Sequence, residues 1–209
     1  ITGVGFQPDW TWIKGRSGAT DHALYDAVRG VQEQLESNQT SAETTEATGL
    51  TAFGADGFSV GALAQLNTST ATYVAWNWLA GNGTSSNTDG TITSTVSVNQ
   101  KAGFSIVGYT GTGAAATVGH GLGVKPSLTI IKRRNLSVDW VVYTDTIDGS
   151  WDFLALNTTA AKGNTTVFSA DADTFDFSAS STTGNVSGGA AIAYCFAEVE
   201  GFSKFGSYT

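Results

Sequence analysis

Few residues in this chain have the type and spacing that catalysis requires. The 2 histidines, His22 and His120, are too few for a His-rich metal site. A Ser-His-Asp triad would need one of them, and neither lies near a Gly-x-Ser-x-Gly elbow. Glu198-Val-Glu200 puts two carboxylates on one face of a strand, the pairing that glycoside chemistry uses. An equivalent stretch earlier in the chain has Ala80 at that place, so a solvated edge pair is the expected reading. Asp171-Ala-Asp173 could face Ca²⁺ but lacks the twelve-residue loop pattern and reads as a turn. Gly111-Thr-Gly113 and Gly119–Gly123 lack the Lys-Ser/Thr and helix of a phosphate loop. The single Cys195 sits in the apolar run Ala191-Ile-Ala-Tyr-Cys-Phe196, where a buried, inert thiol is expected. No catalytic residue, metal ligand or cofactor site is therefore assigned.

The dominant feature is a repeat. Gly5-Phe-Gln-Pro-Asp-Trp-Thr-Trp-Ile-Lys-Gly-Arg16 returns as Gly123-Val-Lys-Pro-Ser-Leu-Thr-Ile-Ile-Lys-Arg-Arg134, with Gly, Pro, Lys and Arg in register. A Pro followed by alternating apolar positions reads as a turn launching a strand. Asp21 and Tyr25 match Asp139 and Tyr143 at the same offset of 118 residues. Tyr73-Val-Ala-Trp-Asn-Trp78 matches Ala191–Phe196 and reads as a central strand covered on both faces. Residues 31–37 look helical by composition. Their counterpart, Trp151-Asp-Phe-Leu-Ala155, alternates as a strand, so strand is predicted for both. Asn38-Gln-Thr and Asn157-Thr-Thr close the two copies.

A second echo lies at the end. Gly103-Phe-Ser-Ile-Val-Gly-Tyr-Thr110 recurs as Gly201-Phe-Ser-Lys-Phe-Gly-Ser-Tyr-Thr209, which sets the unit at 98 residues. The expected organisation is a first β module over 1–81 without the Gly-Phe-Ser strand, a Gly/Ser/Thr-rich linker over 82–101, and a second module over 102–209. Thr93–Asn99 within that linker alternates as an extended strand. With no methionine in the chain, the repeat suggests a processed product or a piece of a longer tandem array.

The repeat also ranks candidate binding residues. Most of the 6 tryptophans recur as aromatic or apolar residues, as core positions do. Trp10 and Trp140 face a smaller Leu128 and a His22 in the opposite copy, so they and His22 are the expected exposed contacts for a stacked sugar face. Lys14-x-Arg16 and Lys132-x-Arg134 place Arg16 and Arg134 at matching positions as candidate anion contacts, although Lys132-Arg133-Arg134 reads first as a solvated strand end.

Composition sets the frame. The chain has 209 residues, 26 Gly, 2 Pro, 41% apolar and 13% charged residues, as expected of a folded chain of short strands and tight turns. A net charge of −8 argues against nucleic-acid binding. No run of about 20 apolar residues suggests a membrane span. One cysteine excludes an intrachain disulfide.

The strings GFQPDWTWIK, TYVAWNWLAG, GFSIVGYTGTG, GHGLGVKPSLTIIKRR and IAYCFAEVEGFSKFGSYT resemble the repeated β module of bacteriophage tail-fibre and other virion structural proteins, a domain of unknown function common in marine phages. Asn77 stands where the second copy has Cys195. The resemblance implies all-β, tandem antiparallel β-sandwich modules of jelly-roll or lectin-like type on a virion surface, and brings no catalytic residue. The expected partners are further copies in a symmetric homo-oligomer such as a trimer, other virion proteins, and host-surface glycans bound weakly and multivalently. A carbohydrate-binding module or glycoside-active enzyme, and a filament or surface-layer subunit, are the alternatives.

Overall fold

A computed structural model describes residues 1–208 as strands and turns throughout. The first repeat contributes β1 (Trp10–Gly15), β2 (Ala23–Asp26), β3 (Gly30–Leu35), β4 (Thr44–Thr45), β5 (Leu50–Gly54), β6 (Gly57–Val60) and β7 (Tyr73–Trp78). Then follow β8 (Ser85–Asn87), β9 (Ser94–Asn99), β10 (Phe104–Thr110) and β11 (Ala116–Gly119). The rest are β12 (Leu128–Arg133), β13 (Val141–Thr144), β14 (Asp152–Ala155), β15 (Gly163–Asn164), β16 (Phe168–Ala170), β17 (Thr174–Phe177) and β18 (Ala190–Phe196).

The repeat is visible as topology. A five-stranded sheet runs β4-β3-β2-β1-β7, and an eight-stranded sheet runs β15-β14-β13-β12-β18-β10-β9-β8. The first five strands of the larger sheet reproduce the smaller one. Register agrees too: Thr11 pairs with Asn77 as Thr129 pairs with Cys195, and Trp12 with Trp76 as Ile130 with Tyr194. All the ladders are antiparallel, so the expected all-β antiparallel sandwich is what forms.

Alternation along each strand builds four layers. One face of the smaller sheet (Ile13, Ala23, Tyr25) packs on the β5–β6 hairpin through Leu50 and Phe58. One face of the larger sheet (Val107, Ile131, Tyr143, Ala193) packs on the three-stranded sheet β11-β17-β16 through Val118, Phe168, Phe175 and Phe177. The remaining two faces pack on each other. Trp10, Leu24 and Leu35 of the first repeat share one core with Ile106, Ile130, Trp140 and Tyr194 of the second. The two copies thus form one body, back to back.

Residues 82–101, expected as a Gly/Ser/Thr-rich connection with an extended strand at Thr93–Asn99, carry β8 and β9. Ser94, Val96 and the flanking Ile92 point inward while Thr93 and Thr95 point out, and this alternation zips β9 onto β10 and β8 onto β9. Strand at 30–35 overrides local helix propensity, as the repeat predicts. Gln34 and Leu35 are buried, and Gln32 at φ 70 lies beside an irregularity in the β2–β3 register.

Buried ions tie the repeats together. The Arg29 guanidinium donates to Asp26 Oδ2, to Leu24 O and to Glu43 Oε2, while the Tyr194 hydroxyl donates to Asp26 Oδ2 at 2.6 Å. Glu43 in turn accepts two-pronged bonds from Arg134 at 2.6–3.1 Å. Lys132 is the other surprise: expected at a solvated strand end, it is fully buried, enclosed by the loop after its own strand and by Thr40 of the facing repeat. Its ammonium donates to the carbonyls of Thr40, Leu136 and Val138 at 2.8–3.3 Å.

Burial, opposed by Asp139, pulls the Lys132 pKa down from 10.5 to about 8. The native chain therefore sheds that proton before the unfolded chain does. Stability relative to a Lys132→Met variant should rise as pH increases from about 8 to 10.5 and be flat below, read as denaturation midpoints across that range.

Candidate functional site

A groove suited to a ligand lies where the two copies meet. Trp12, His22, Ser37 and Asn38 of the first repeat face Leu156, Asn157, Thr158 and Thr159 of the second across an open groove of about 340 Å³. The repeat builds both walls by the same device. Asn38 Oδ1 accepts the His22 amide at 2.9 Å, and its Nδ2 donates to Asp21 Oδ1 at 2.6 Å. In the other wall Asn157 Oδ1 accepts the Trp140 amide at 2.9 Å, and its Nδ2 donates to Asp139 Oδ1 at 2.8 Å. Each Asn side chain closes its loop, which leaves the Thr158 and Thr159 side chains exposed on the rim.

The floor is aromatic. Trp12 Nε1 donates to His22 Nδ1 at 2.7 Å, which fixes the imidazole as the neutral Nε2–H tautomer. Burial, with Lys14 adding to it, holds the His22 pKa below its ordinary value, so this donor stays neutral. Trp76, 46% exposed, lies 6.2 Å from Trp12 and extends the aromatic surface. None of the lining residues is Asp, Glu, Lys or Arg. Such a groove offers stacking faces, hydroxyls and a neutral N–H, and no carboxylate pair to cleave a glycosidic bond.

Of the five residues expected to bind, the structure places only His22 here. Trp10 is 1% exposed, stacked between Trp78 and Tyr194 at 4.2 Å each. Trp140 is fully buried, its Nε1 donating to Glu36 O at 2.8 Å. Both are expected on the surface because their counterparts, Leu128 and His22, are smaller, and the docking of the two copies covers them instead. Arg16 is exposed at the end of β1 and away from the groove, while Arg134 is engaged by Glu43. Trp12, Trp76, Thr158 and Thr159 were missed. The loop-closing role of Asn38 and Asn157 was the signal that could have drawn attention to them.

The other candidates resolve into structure. Cys195 is buried, and burial pushes its thiol up to about 12, far from a reactive thiolate. His120 accepts the Leu122 amide on Nδ1 at 3.1 Å and faces Asp171 O with Nε2, pinning the Gly-rich loop. Asp171 Oδ1 accepts the amides of Asp173 and Thr174 and closes a turn, as expected. Glu198 accepts the Phe205 amide at 3.1 Å. Among the described residues, no cluster of three His, Cys, Asp or Glu side chains forms a metal site.

Over residues 1–209 the chain matches the family described as domain of unknown function DUF7483, and it belongs to that family. No curated protein matches it. Nor does any solved structure.

Proposed function

We propose that this protein is a bacteriophage virion structural protein, of tail fibre or surface decoration, that presents its inter-repeat groove to neutral glycans of the host surface. The reading is of a binding module and not an enzyme. The observation that carries it is the uncharged groove of Trp12, His22, Thr158 and Thr159, walled by two copies of the same Asn-closed loop. The sequence resemblance to repeated virion β modules supplies the setting: the outside of a particle, in contact with other virion proteins. A single open groove gives weak affinity, and presentation in many copies multiplies it.

The test is a glycan array probed with the protein displayed multivalently, followed by titration of any neutral oligosaccharide that responds. Trp12→Ala and the double change Thr158→Ala/Thr159→Ala should each weaken binding at least about tenfold, which is about 1.4 kcal/mol. The threonine variant should keep nearly the wild-type melting curve, because both side chains are exposed and the one bond lost, from the Ala160 amide to Thr158 Oγ1, is exposed too. A silent array, or an unchanged titration with the threonine variant, would contradict the reading.

A further inference from the structure

The first repeat has an open sheet edge where the second has a strand. In the second, β18 is flanked by β12 and by β10; in the first, β7 pairs with β1 and is the last strand of its sheet. Thr72 O and Trp78 O accept from the β1 side, so by alternation the amides of Tyr73, Ala75 and Asn77 face away from β1. Side chains report the same gap. Ala191, Ala193 and Cys195 are fully buried, whereas Tyr73, Ala75 and Asn77 are partly exposed. Tyr194 is 0% exposed and its counterpart Trp76 46%. Beside Ala75 an apolar cleft of about 170 Å³, lined also by Ile13, Phe58 and Leu66, stays open. Its counterpart beside Ala193 and Ile131 is closed by the fully buried Val107 of β10.

The strand that fits this edge is in the chain. Gly201–Tyr208 repeats the opening of β10, yet it forms no strand. Instead Ser207 Oγ donates to Ile147 O at 3.2 Å, Phe202, Ser203 and Phe205 line an apolar pocket of about 510 Å³ together with Asn77 and Trp78 at the end of β7, and Phe202 stays 72% and Tyr208 99% exposed. We propose that Gly201–Tyr208 of one copy adds as a strand to the β7 edge of a second copy, joining chains head to tail.

The repeat fixes the register. Phe104, Ser105, Ile106 and Val107 lie opposite Phe196, Cys195, Tyr194 and Ala193. Phe202 therefore lies opposite Trp78, Ser203 opposite Asn77, Lys204 opposite Trp76 and Phe205 opposite Ala75. Phe205 fills the apolar cleft, and the Lys204 ammonium lies over the exposed face of Trp76, a cation–π arrangement. An uncharged edge, Tyr-Val-Ala-Trp-Asn-Trp, is a ready template for such pairing. The proposal concerns assembly and stands whether or not the groove binds glycans.

Cysteine trapping on the full chain tests it. Asn77→Cys installs the residue that the second repeat has at Cys195, and Ser203→Cys is nearly isosteric. Opposed strand positions of this kind lie about 5.5 Å apart between Cα atoms, within disulfide range. The native Cys195 is buried and stays out of the exchange. When the two single variants are mixed under mild oxidation, a disulfide-linked product of twice 21.6 kDa should form. Its yield should exceed, by at least about tenfold, that of Asn77→Cys mixed with Lys204→Cys, which is off-register. No product above that control would overturn the proposal. So would closure of a doubly substituted chain on itself while the mixed chains stay unlinked, since that places the strand on its own β7.

Discussion

Replacing Arg29 by Met is expected to remove about 3–5 kcal/mol of stability, as breaking one partner of a buried ion pair does. The Arg29 and Asp26 side chains are both 0% exposed. Removing the guanidinium leaves the Asp26 carboxylate with the Tyr194 hydroxyl and the Val28 and Arg29 amides, all neutral donors. It also leaves the carbonyl of Leu24 without its guanidinium donor. Against a typical total of about 5–15 kcal/mol, the variant stands near the edge of unfolding at room temperature. Pairing it with Asp26→Asn should restore part of the loss, because the uncompensated charge is then gone. Chemical denaturation of the two variants checks this; a loss under about 1 kcal/mol for Arg29→Met would show that the network is idle.

Trp10→Ala is expected to cost a similar 3–5 kcal/mol, for a different reason. The indole is stacked between rings of both repeats, Trp78 and Tyr194, so truncation opens a cavity in the core they share. Trp10→Phe should cost much less, because the buried Nε1–H has no partner and loses nothing when removed. Equal costs for Ala and Phe would mean that ring stacking is not what Trp10 contributes.

Internal comparison made much of the fold legible. Strand at Gly30–Leu35, which composition misreads as helix, followed from the alternation around Phe153 in the other copy. The buried thiol of Cys195 and the turn at Asp171 were readable from their apolar and Asp-x-Asp contexts. Docking was not readable. A repeat states which residues are equivalent inside each copy and is silent on how the copies face one another. That is why Trp10 and Trp140, larger than their counterparts Leu128 and His22, and Lys132, a cation at a strand end, are expected in solvent. Trp10 and Trp140 pack into the core that the copies share, and Lys132 is enclosed by Leu136 and Val138 of its own repeat together with Thr40 of the other. The groove was hidden for the same reason: its walls lie in loops more than 100 residues apart in sequence, brought together only by that docking.

The open β7 edge, in contrast, was half visible. The first repeat lacks the Gly-Phe-Ser strand, and the extended strand expected at Thr93–Asn99 joins the second repeat, as β9 beside β10. The edge stays free because the extra strands all join the larger sheet.

Every functional statement above depends on the two repeats being one body with a shared core. Differential scanning calorimetry of the whole chain tests that most directly. The account predicts a single transition whose calorimetric and van't Hoff enthalpies agree, shifted as a whole to lower temperature by Trp10→Ala. Two separable transitions, with only one of them moved by that substitution, would contradict it.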